Sequence, residues 1–206
     1  MTRTLRRTAA AAAVLAALTV AGCSSSHTTA KPTAAAPSAP SASGTRVPGL
    51  EPIPPGHPGT PPVPLPAPAS VKGDDPEAVS QAVVTIQWTV DTSIDNSRHD
   101  AALRAAPFLE PRYLAALKAH PPVAAPGAEW AEWAGHRAYT KVETRALHDE
   151  RPEDSATEAH RQWLVTTTPH GRDNWTGRPT TNTAFVTMTR ENAGAPWRVS
   201  GITVSS

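Results

Sequence analysis

The chain from residue 73 onwards begins with apolar residues spaced as in an amphipathic helix. Asp75 is suited to cap this helix, because its carboxylate can accept hydrogen bonds from the first free backbone N–H groups. Pro76 fits the first helical position, and Glu77 complements the positive end of the helix dipole. The apolar residues that follow at helical spacing predict one buried face: Val79, Val83, Ile86 and Val90.

Two shorter helices are expected after the first. One begins after Asn96 or Ser97, continues through apolar residues at helical spacing, and ends at Pro107. The other begins at about Pro111 and runs through Leu117 to a pair of prolines that cannot continue it. The first half of the segment is therefore predicted to be helical.

Alternation with a period of two replaces helical spacing in the second half. Residues 136–148 alternate small or β-branched side chains with charged and bulky ones, the pattern of a half-buried strand. Stretches rich in Thr, Val, Trp and Phe predict three further strands, at residues 157–168, 180–190 and 197–204. Residues 192–194 predict a turn between the last two. Helices followed by antiparallel strands predict an α+β domain with segregated layers.

The amino terminus has the parts of a secretory signal. Arg3, Arg6 and Arg7 form a basic region, and the twelve mostly apolar residues 9–20 follow it. Twelve helical residues span roughly 18 Å, which is short of the ~30 Å hydrocarbon core of a bilayer. Residues 1–22 are therefore predicted to be a signal peptide rather than a transmembrane helix.

Cys23 is the only cysteine in the chain and follows Val20, Ala21 and Gly22 directly. This stretch resembles the lipobox of bacterial lipoproteins. The resemblance implies cleavage between Gly22 and Cys23 and a diacylglyceryl group on the sulfur of Cys23. Two or more acyl chains anchor a protein firmly, because each buried CH₂ contributes ~0.8 kcal/mol. The membrane is then the first expected partner, and the protein is expected on the extracytoplasmic face of the cell membrane.

Proline dominates the stretch between the signal and the folded segment. Thirteen of the 23 prolines fall within residues 24–72, interleaved with Ala, Ser, Thr and Gly and without any aromatic residue. Such a composition does not bury enough apolar surface to offset the entropy of ordering. Residues 23–72 are therefore predicted to be a lipidated, disordered tether, and residues 73–206 a single domain of ordinary size. A partner that docks a proline motif of the tether is the less favoured alternative.

Charge separates the predicted domain from the rest of the chain. The net charge of +1 belongs to the whole chain. Residues 73–206 alone carry 13 Lys/Arg and 17 Asp/Glu and are therefore mildly acidic. A mildly acidic domain without a basic run lacks the electrostatic footprint of nucleic-acid binding. It also argues against electrostatic adhesion to an anionic membrane surface.

The order of elements resembles the NTF2-like superfamily, which includes relatives of ketosteroid isomerase. The resemblance covers residues 75–206 and depends on the first helix and on the terminal strand, Trp197-Arg198-Val199-x-Gly201-Ile202-x-Val204. It implies a cone in which a bent antiparallel sheet wraps the first helix. Similar domains occur in lipoproteins and membrane-anchored accessory proteins of actinomycetes, and the Ala/Pro/Arg-rich composition fits such a source.

The resemblance also raises a catalytic alternative. Enzymes of this superfamily place an acid or base and a tyrosine in the mouth of the cone, where they move a proton and stabilise an enolate. The candidates here are Tyr113 or Tyr139 together with Asp91, Asp95 or His160. The two aspartates follow the first helix, where we expect them to be solvated. An isomerase or dehydratase acting on a small apolar molecule is the alternative function.

The histidines of the predicted domain do not have the spacing of metal ligands. Their separations are long, and neither an H-x-x-x-H motif nor a His/Asp pair at ligand spacing occurs: His99, His120, His136, His148, His160 and His170. Neither a metal site nor a cofactor is predicted.

Trp130 and Trp133 lie three residues apart, just before the first predicted strand. One helical turn would place both indoles on the same side. Packing in the core is favoured over contact with a ligand, because a small domain needs large side chains to fill a bent sheet.

The loop 169–178 is the predicted partner contact. It places Trp175 between Arg172 and Arg178 in a polar stretch, where an indole is less easily buried. Tryptophan and arginine are common anchors of protein–protein contacts. We therefore predict a non-catalytic, lipid-anchored binding or scaffold protein of the cell envelope. Its partner would be an envelope protein or a small apolar ligand inside the cone.

Overall fold

The computed structural model describes residues 51–148 and 150–205. The predicted signal peptide, Gly22, Cys23 and the tether up to residue 50 lie outside the described residues. No helix in the described part of the chain is long and apolar enough to cross a membrane.

The described residues form four α-helices followed by four β-strands. The helices are α1 Pro76–Trp88, α2 Arg98–Arg104, α3 Pro111–Ala119 and α4 Ala128–Gly135, with short 3-10 helices at Pro68–Ser70 and Ala106–Phe108. The strands are β1 Tyr139–Leu147, β2 Glu158–His170, β3 Thr180–Thr189 and β4 Arg198–Ser205. The predicted α+β class is therefore confirmed, as are the approximate positions of three helices and all four strands.

Helix α1 begins and packs as its sequence predicts. The carboxylate of Asp75 accepts hydrogen bonds from the backbone nitrogens of Glu77, at 2.9 Å, and Ala78, at 3.3 Å. Val79, Val83 and Ile86 of the predicted apolar face are buried in one continuous core with the sheet, whereas Val90 lies beyond the end of the helix and is buried in a second, smaller core. The sheet residues of the first, main core are Ala159, Trp163, Val165, Ala184, Val186, Met188 and Val199.

The four strands form one antiparallel sheet in the order β1-β2-β3-β4. Each strand pairs with its neighbour in sequence, and the β3–β4 ladder has a bulge between Thr187 and Met188. The predicted turn before β4 is present, because Asn192 Oδ1 accepts a hydrogen bond from Gly194 N at 3.0 Å. The face against which α1 packs is called the inner face below.

The segment after α1, residues 89–95, is called the exit segment. It runs beside the start of β1, where Thr140 N donates to Val90 O at 2.9 Å and Thr92 N donates to Ala138 O at 2.9 Å. The hydroxyl of Thr140 accepts a hydrogen bond from Val90 N, at 2.8 Å, and donates one to Trp88 O, at 2.7 Å. Thr140 thus ties the carboxyl end of α1 to the edge of the sheet.

Helix α4 is absent from the sequence prediction. It is eight residues long, and its start has neither a side-chain cap nor a proline. Its indole Trp133 is 3% exposed and packs in a second small core with Val90, Ala101 and Ala138. The prediction that core packing prevails is therefore confirmed for Trp133, while Trp130 is half-buried beside it.

The structure differs from the sequence prediction in the last part of the proline-rich stretch. Residues 51–72 lie against the domain, although the composition predicts a disordered tether there. Ile53 N donates to Pro122 O at 2.8 Å, and His57 N donates to Ile94 O at 2.6 Å. Leu65 and Val71 pack against the main core. Both apolar side chains are half-buried, and their positions among the prolines follow no periodicity that a sequence pattern would show.

Two glycines make this close packing possible. A Cβ at Gly56 would lie 2.2 Å from Ile94 O, and a Cβ at Gly59 would lie 2.5 Å from Ile94 Cγ2. Both distances are far below van der Waals contact, so neither position accommodates a side chain without movement of the exit segment. Asn96 Nδ2 also donates to the carbonyl oxygens of Pro54, at 3.2 Å, and Pro55, at 3.1 Å.

Thr140 and Thr167 provide a matched test of buried hydrogen bonding. Both side chains are buried in the sheet, but Thr167 Oγ1 has no hydrogen-bond partner within the described residues. We expect Thr140→Val to lower the free energy of unfolding by about 2 to 4 kcal/mol, because it leaves Val90 N and Trp88 O unpaired. Thr167→Val removes an unpaired hydroxyl and should raise stability by about 1 kcal/mol. Urea unfolding followed by tryptophan fluorescence measures both, and equal losses would contradict this assignment.

Candidate functional site

An open cavity of about 760 Å³ lies at the carboxyl end of α1. Its walls come from α1, α2, the segment leading into α4, and the inner face of β3 and β4. Its apolar part is formed chiefly by Trp88, Ala102, Pro122, Ala124, Pro126 and Val204. Its polar part is formed chiefly by Gln87, Arg98, His99, His120, Glu129 and Asn182.

The cavity lies over a part of the inner face that the helices leave uncovered, on the β3–β4 side of the sheet. On β2, by contrast, the inner-face residues Trp163, Val165 and Thr167 are all buried. Val204 pairs with Ala184 and so shares its face, yet Val204 is 50% exposed whereas Ala184 is fully buried. This uncovered part of the inner face forms one wall of the cavity.

Gln87 lines the helical wall of the cavity, but its amide nitrogen is shielded from solvent. The amide nitrogen of Gln87 is buried and has no hydrogen-bond partner among the described residues. Buried donors in folded proteins are nearly always paired, so this one is an exception. Gln87 is the penultimate residue of α1, and its neighbour Trp88 contributes an indole to the same wall.

Two histidines line the cavity. His120 Nδ1 lies 2.9 Å from Ala116 O, and because a carbonyl oxygen only accepts, Nδ1 carries the hydrogen. In neutral His120 the other ring nitrogen, Nε2, is then an acceptor. His99 lies in the first turn of α2, where its backbone nitrogen donates to Ser97 Oγ at 3.2 Å.

An exposed ion pair stands in the cavity wall. Arg98 Nη2 lies 3.2 Å from Glu129 Oε2, and both side chains are about half exposed. The guanidinium of Arg98 also lies 5.0 Å from the ring centroid of Trp133. Exposed pairs of this kind contribute little stability, about 0–1 kcal/mol. Their effect is to leave the wall without a large net charge.

Behind the cavity, two buried aspartates hold the exit segment. Asp91 is 1% exposed, and its carboxylate accepts hydrogen bonds from Arg172 Nη1, at 2.9 Å, and Nη2, at 2.7 Å. Asp95 is 3% exposed and is held by the guanidinium of Arg104. The prediction that both aspartates are solvated is therefore wrong, because each has an arginine partner contributed by another element.

The pKa values follow from this burial. Burial raises the pKa of Asp95 above its ordinary value, and the hydrogen bonds from Arg104 oppose that rise. The hydrogen bonds with Asp91 raise the pKa of Arg172 above its ordinary value. Removing one member of a buried pair leaves an uncompensated charge, which costs about 3–5 kcal/mol. The two pairs therefore fix the exit segment and, with it, the start of α2.

Helix α2 is held at its amino end by a reciprocal cap. Ser97 Oγ accepts from the first turn, while Asp100 Oδ2 accepts hydrogen bonds from Asn96 N, at 2.8 Å, and Ser97 N, at 3.1 Å. Asp100 Oδ1 also accepts a hydrogen bond from Gly56 N at 3.1 Å. The cap thus joins residues 51–72 to the helix that presents Arg98 and His99 to the cavity.

None of the catalytic candidates named from the sequence lines this cavity. Asp91 and Asp95 are occupied by arginines, as described above. Tyr113 is half-buried and packs against the main core, where burial raises its pKa. Tyr139 lies 5.7 Å from the guanidinium of Arg172, and His160 Nε2 lies 3.2 Å from a carboxylate oxygen of Glu158. Asp91 N donates to Asp95 Oδ2 at 2.8 Å, and Asp91 pairs with Tyr139 in an isolated antiparallel β-bridge, so three of the five residues lie together, although away from the cavity lining.

Two of the three predicted contact residues in the loop 169–178 make interactions within the domain. Arg172 holds Asp91, and the ring of Trp175 stacks on His136 with centroids 4.2 Å apart. Trp175 also packs against the small core around Trp133. Arg178 is exposed.

The histidines do not form a metal site in the part of the chain that is described. No group of three or more His, Cys, Asp or Glu side chains there has the geometry to hold a metal ion. His136 Nδ1 instead lies 2.7 Å from Asp173 Oδ2, an interaction that lowers the pKa of Asp173.

Sequence analysis did not identify Gln87, His99 or His120 as site residues. Gln87 lies within the first helix like any other polar residue, and the two histidines lack motif spacing. Only the adjacent proline pair marks His120, as the end of a helix. Comparisons of the chain with protein-family models, with curated proteins and with solved structures found no match. The functional argument therefore depends on the geometry of the cavity.

Proposed function

We propose that this protein is a lipid-anchored, extracytoplasmic binding protein that holds a small, mostly apolar molecule in its cavity. The observation that carries the proposal is the cavity itself, which is open, largely apolar and lined by a few polar groups. Its volume of about 760 Å³ lies within the ~300–1,000 Å³ range of small-molecule sites. The ligand would lie between the indole of Trp88 and the inner face at Val204.

The NTF2-like cone is part of this proposal. Helix α1 packs across all four strands of one antiparallel sheet, and the cavity opens where α1 ends. This arrangement is what a cone with an open mouth requires. Because the same fold serves binding proteins and enzymes, the fold supports the proposal without choosing the function.

The membrane anchor is the second part of the proposal. It is supported by the basic and apolar signal pattern and by the single cysteine after small residues at positions 21 and 22. The acyl group on Cys23 would tie the domain to the outer face of the cell membrane, with residues 24–50 as a spacer. A ligand of apolar character fits a protein held close to a bilayer.

The catalytic hypothesis and the protein-partner hypothesis have less support from the side-chain contacts. The catalytic alternative needs a tyrosine with an aspartate or histidine in the cavity, and the five candidates lie elsewhere. A protein partner at the loop 169–178 would need Arg172 and Trp175. Arg172 already binds the carboxylate of Asp91, and Trp175 already stacks on His136. The small-molecule role is therefore the one that the geometry favours.

Filling the cavity from two walls tests the binding role. The variant Ala102→Trp/Val204→Trp places an indole on α2 and another on β4, both directed into the cavity lining. We expect it to bind the neutral fluorescent probe N-phenyl-1-naphthylamine at least tenfold more weakly than the wild type, because the apolar space is occupied. Fluorescence titration of the purified protein measures the affinity.

The matched control is Ala131→Trp/Thr203→Trp. Ala131 is exposed on α4, and Thr203 is an exposed neighbour of Val204 on the opposite face of the sheet. This variant should bind the probe as the wild type does. Equal affinities of the filled variant and the control would exclude the cavity as the binding site.

Cys23→Ala tests the anchor. Without the sulfur there is no acceptor for the acyl group, so metabolic labelling with a clickable palmitate analogue should be lost. The protein should also retain residues 1–22, as intact-mass spectrometry would show. Ser24→Ala, at the next position, should be labelled and cleaved normally. Persistent labelling of Cys23→Ala would contradict the lipoprotein assignment.

A further inference from the structure

The two edges of the sheet differ in how they are protected. On the β4 edge, the ladder with β3 has a bulge, and Leu109 forms a bridge with Val199, whose carbonyl oxygen accepts a hydrogen bond from Glu110 N at 2.9 Å. Strand β1 has nine residues without a proline, and its register with β2 runs without a bulge. Natural proteins usually protect an exposed edge with a proline, a bulge or a covering segment, because an open edge can pair with another strand. The β1 edge has little of this protection.

The exit segment covers only the start of the β1 edge. Thr140 N donates to Val90 O at 2.9 Å, so the backbone polar groups of Thr140 point away from β2. Its partner on β2 is Pro169, which has no N–H to offer and agrees with this direction. Backbone direction alternates along an antiparallel strand. Three further residues therefore present their N–H and C=O groups at the edge, and no backbone hydrogen bond joins that edge to another element within residues 51–148 and 150–205: Val142, Thr144 and Ala146.

The exposed side chains of β1 carry charges of alternating sign. Lys141, Glu143 and Arg145 are exposed on the face opposite to α1. None of them forms an ion pair with another residue in the described part of the chain. Their partners on β2 are uncharged: Thr168, Thr166 and Leu164. These charges are therefore available to a strand that pairs with β1 from outside.

The alternating charges restrict how β1 could pair with a second copy of itself. Two identical strands that pair antiparallel are related by a twofold axis, and the position of the axis fixes every pair. An axis at Glu143 or at Arg145 would place two like charges directly opposite each other, which is destabilising. An axis at Val142 would bring in Thr140, whose N–H is already bonded to Val90.

An axis at Thr144 avoids both problems. It places Glu143 opposite Arg145 of the second copy, and Arg145 opposite Glu143, so that both exposed pairs are of opposite charge. The open backbone groups of Thr144 then meet those of Thr144, and the groups of Val142 meet those of Ala146. All the pairs made in this way use backbone groups that the exit segment leaves open. Charge pairs of this kind fix the register and exclude wrong partners more than they add affinity.

We propose that β1 is a dimerisation edge, which pairs antiparallel with β1 of a second copy of this chain about a twofold axis at Thr144. The four strands of each copy then form one continuous sheet. Val142 and Ala146, which are half-buried at the margin of the main core, would pack against each other across the axis. The proposal goes beyond the binding role and does not depend on it, because β3 and β4 line the cavity and β1 does not.

A cysteine at the proposed axis tests the pairing. The full-length variant Thr144→Cys is oxidised with copper phenanthroline in the cells that produce it, and its mass is read by non-reducing electrophoresis. We expect a band of twice the chain mass, because directly opposite residues have Cα atoms about 5.5 Å apart, within the range of a disulfide. The control Ala146→Cys lies on the same face of the same edge, but its two copies would be roughly 13 Å apart. It should give no such band, and neither should the wild type, whose only cysteine is Cys23.

Charge reversals in the Thr144→Cys background test the register. Glu143→Lys and Arg145→Glu should each lower the cross-linked fraction by about tenfold, because each places like charges opposite each other. Production of both variants in one cell should restore the band, since each reversed charge then faces its opposite. The double variant Glu143→Arg/Arg145→Glu should restore it as well. Glu191→Lys makes the same change of charge at an exposed residue after β3 and should leave the band unchanged.

Three results would overturn the proposal. The first is the absence of the band from Thr144→Cys, and the second is a band of equal strength from Ala146→Cys. The third is a cross-linked fraction that responds to Glu143→Lys as it does to Glu191→Lys. A cross-linked band of any other mass would show that a different protein occupies the edge, which also contradicts pairing between two copies. None of these results bears on probe binding in the cavity, so the two proposals fail separately.

Discussion

The attachment of the exit segment to the sheet is the constraint on which the rest of the domain depends. Residues 89–95 leave α1 and are held beside β1 by backbone hydrogen bonds and by the buried hydroxyl of Thr140. Asp91 and Asp95 add two buried ion pairs whose arginines come from a distant loop and from α2. Because buried charges need their partners, these contacts allow one position of the segment. That position fixes the ends of both helices that wall the cavity.

The cavity follows from this attachment and from incomplete cover of the β3–β4 side of the sheet. Helices α2 and α4 and the segment between α3 and α4 close only part of the space beside it. A domain that only needed to be stable would fill this space. An open, mostly apolar volume instead supports the proposed small-molecule site.

Local patterns predicted most of the fold, and distant contacts decided the rest. The cap at Asp75 and the alternation in the strands depend on neighbours in sequence, so the sequence alone predicts them. The burial of Asp91 was not, because its partner Arg172 lies 81 residues away. The packing of residues 51–72 depends on glycines that permit close approach, which composition does not reveal. The cavity depends on which strands the helices leave uncovered, which no pattern along a single element encodes.

A crystal structure of the protein in complex with N-phenyl-1-naphthylamine tests the central claim most directly. The account predicts density for the probe in the cavity, with its rings between Trp88 and Val204. Density for the probe on another surface, and none in the cavity, would contradict it.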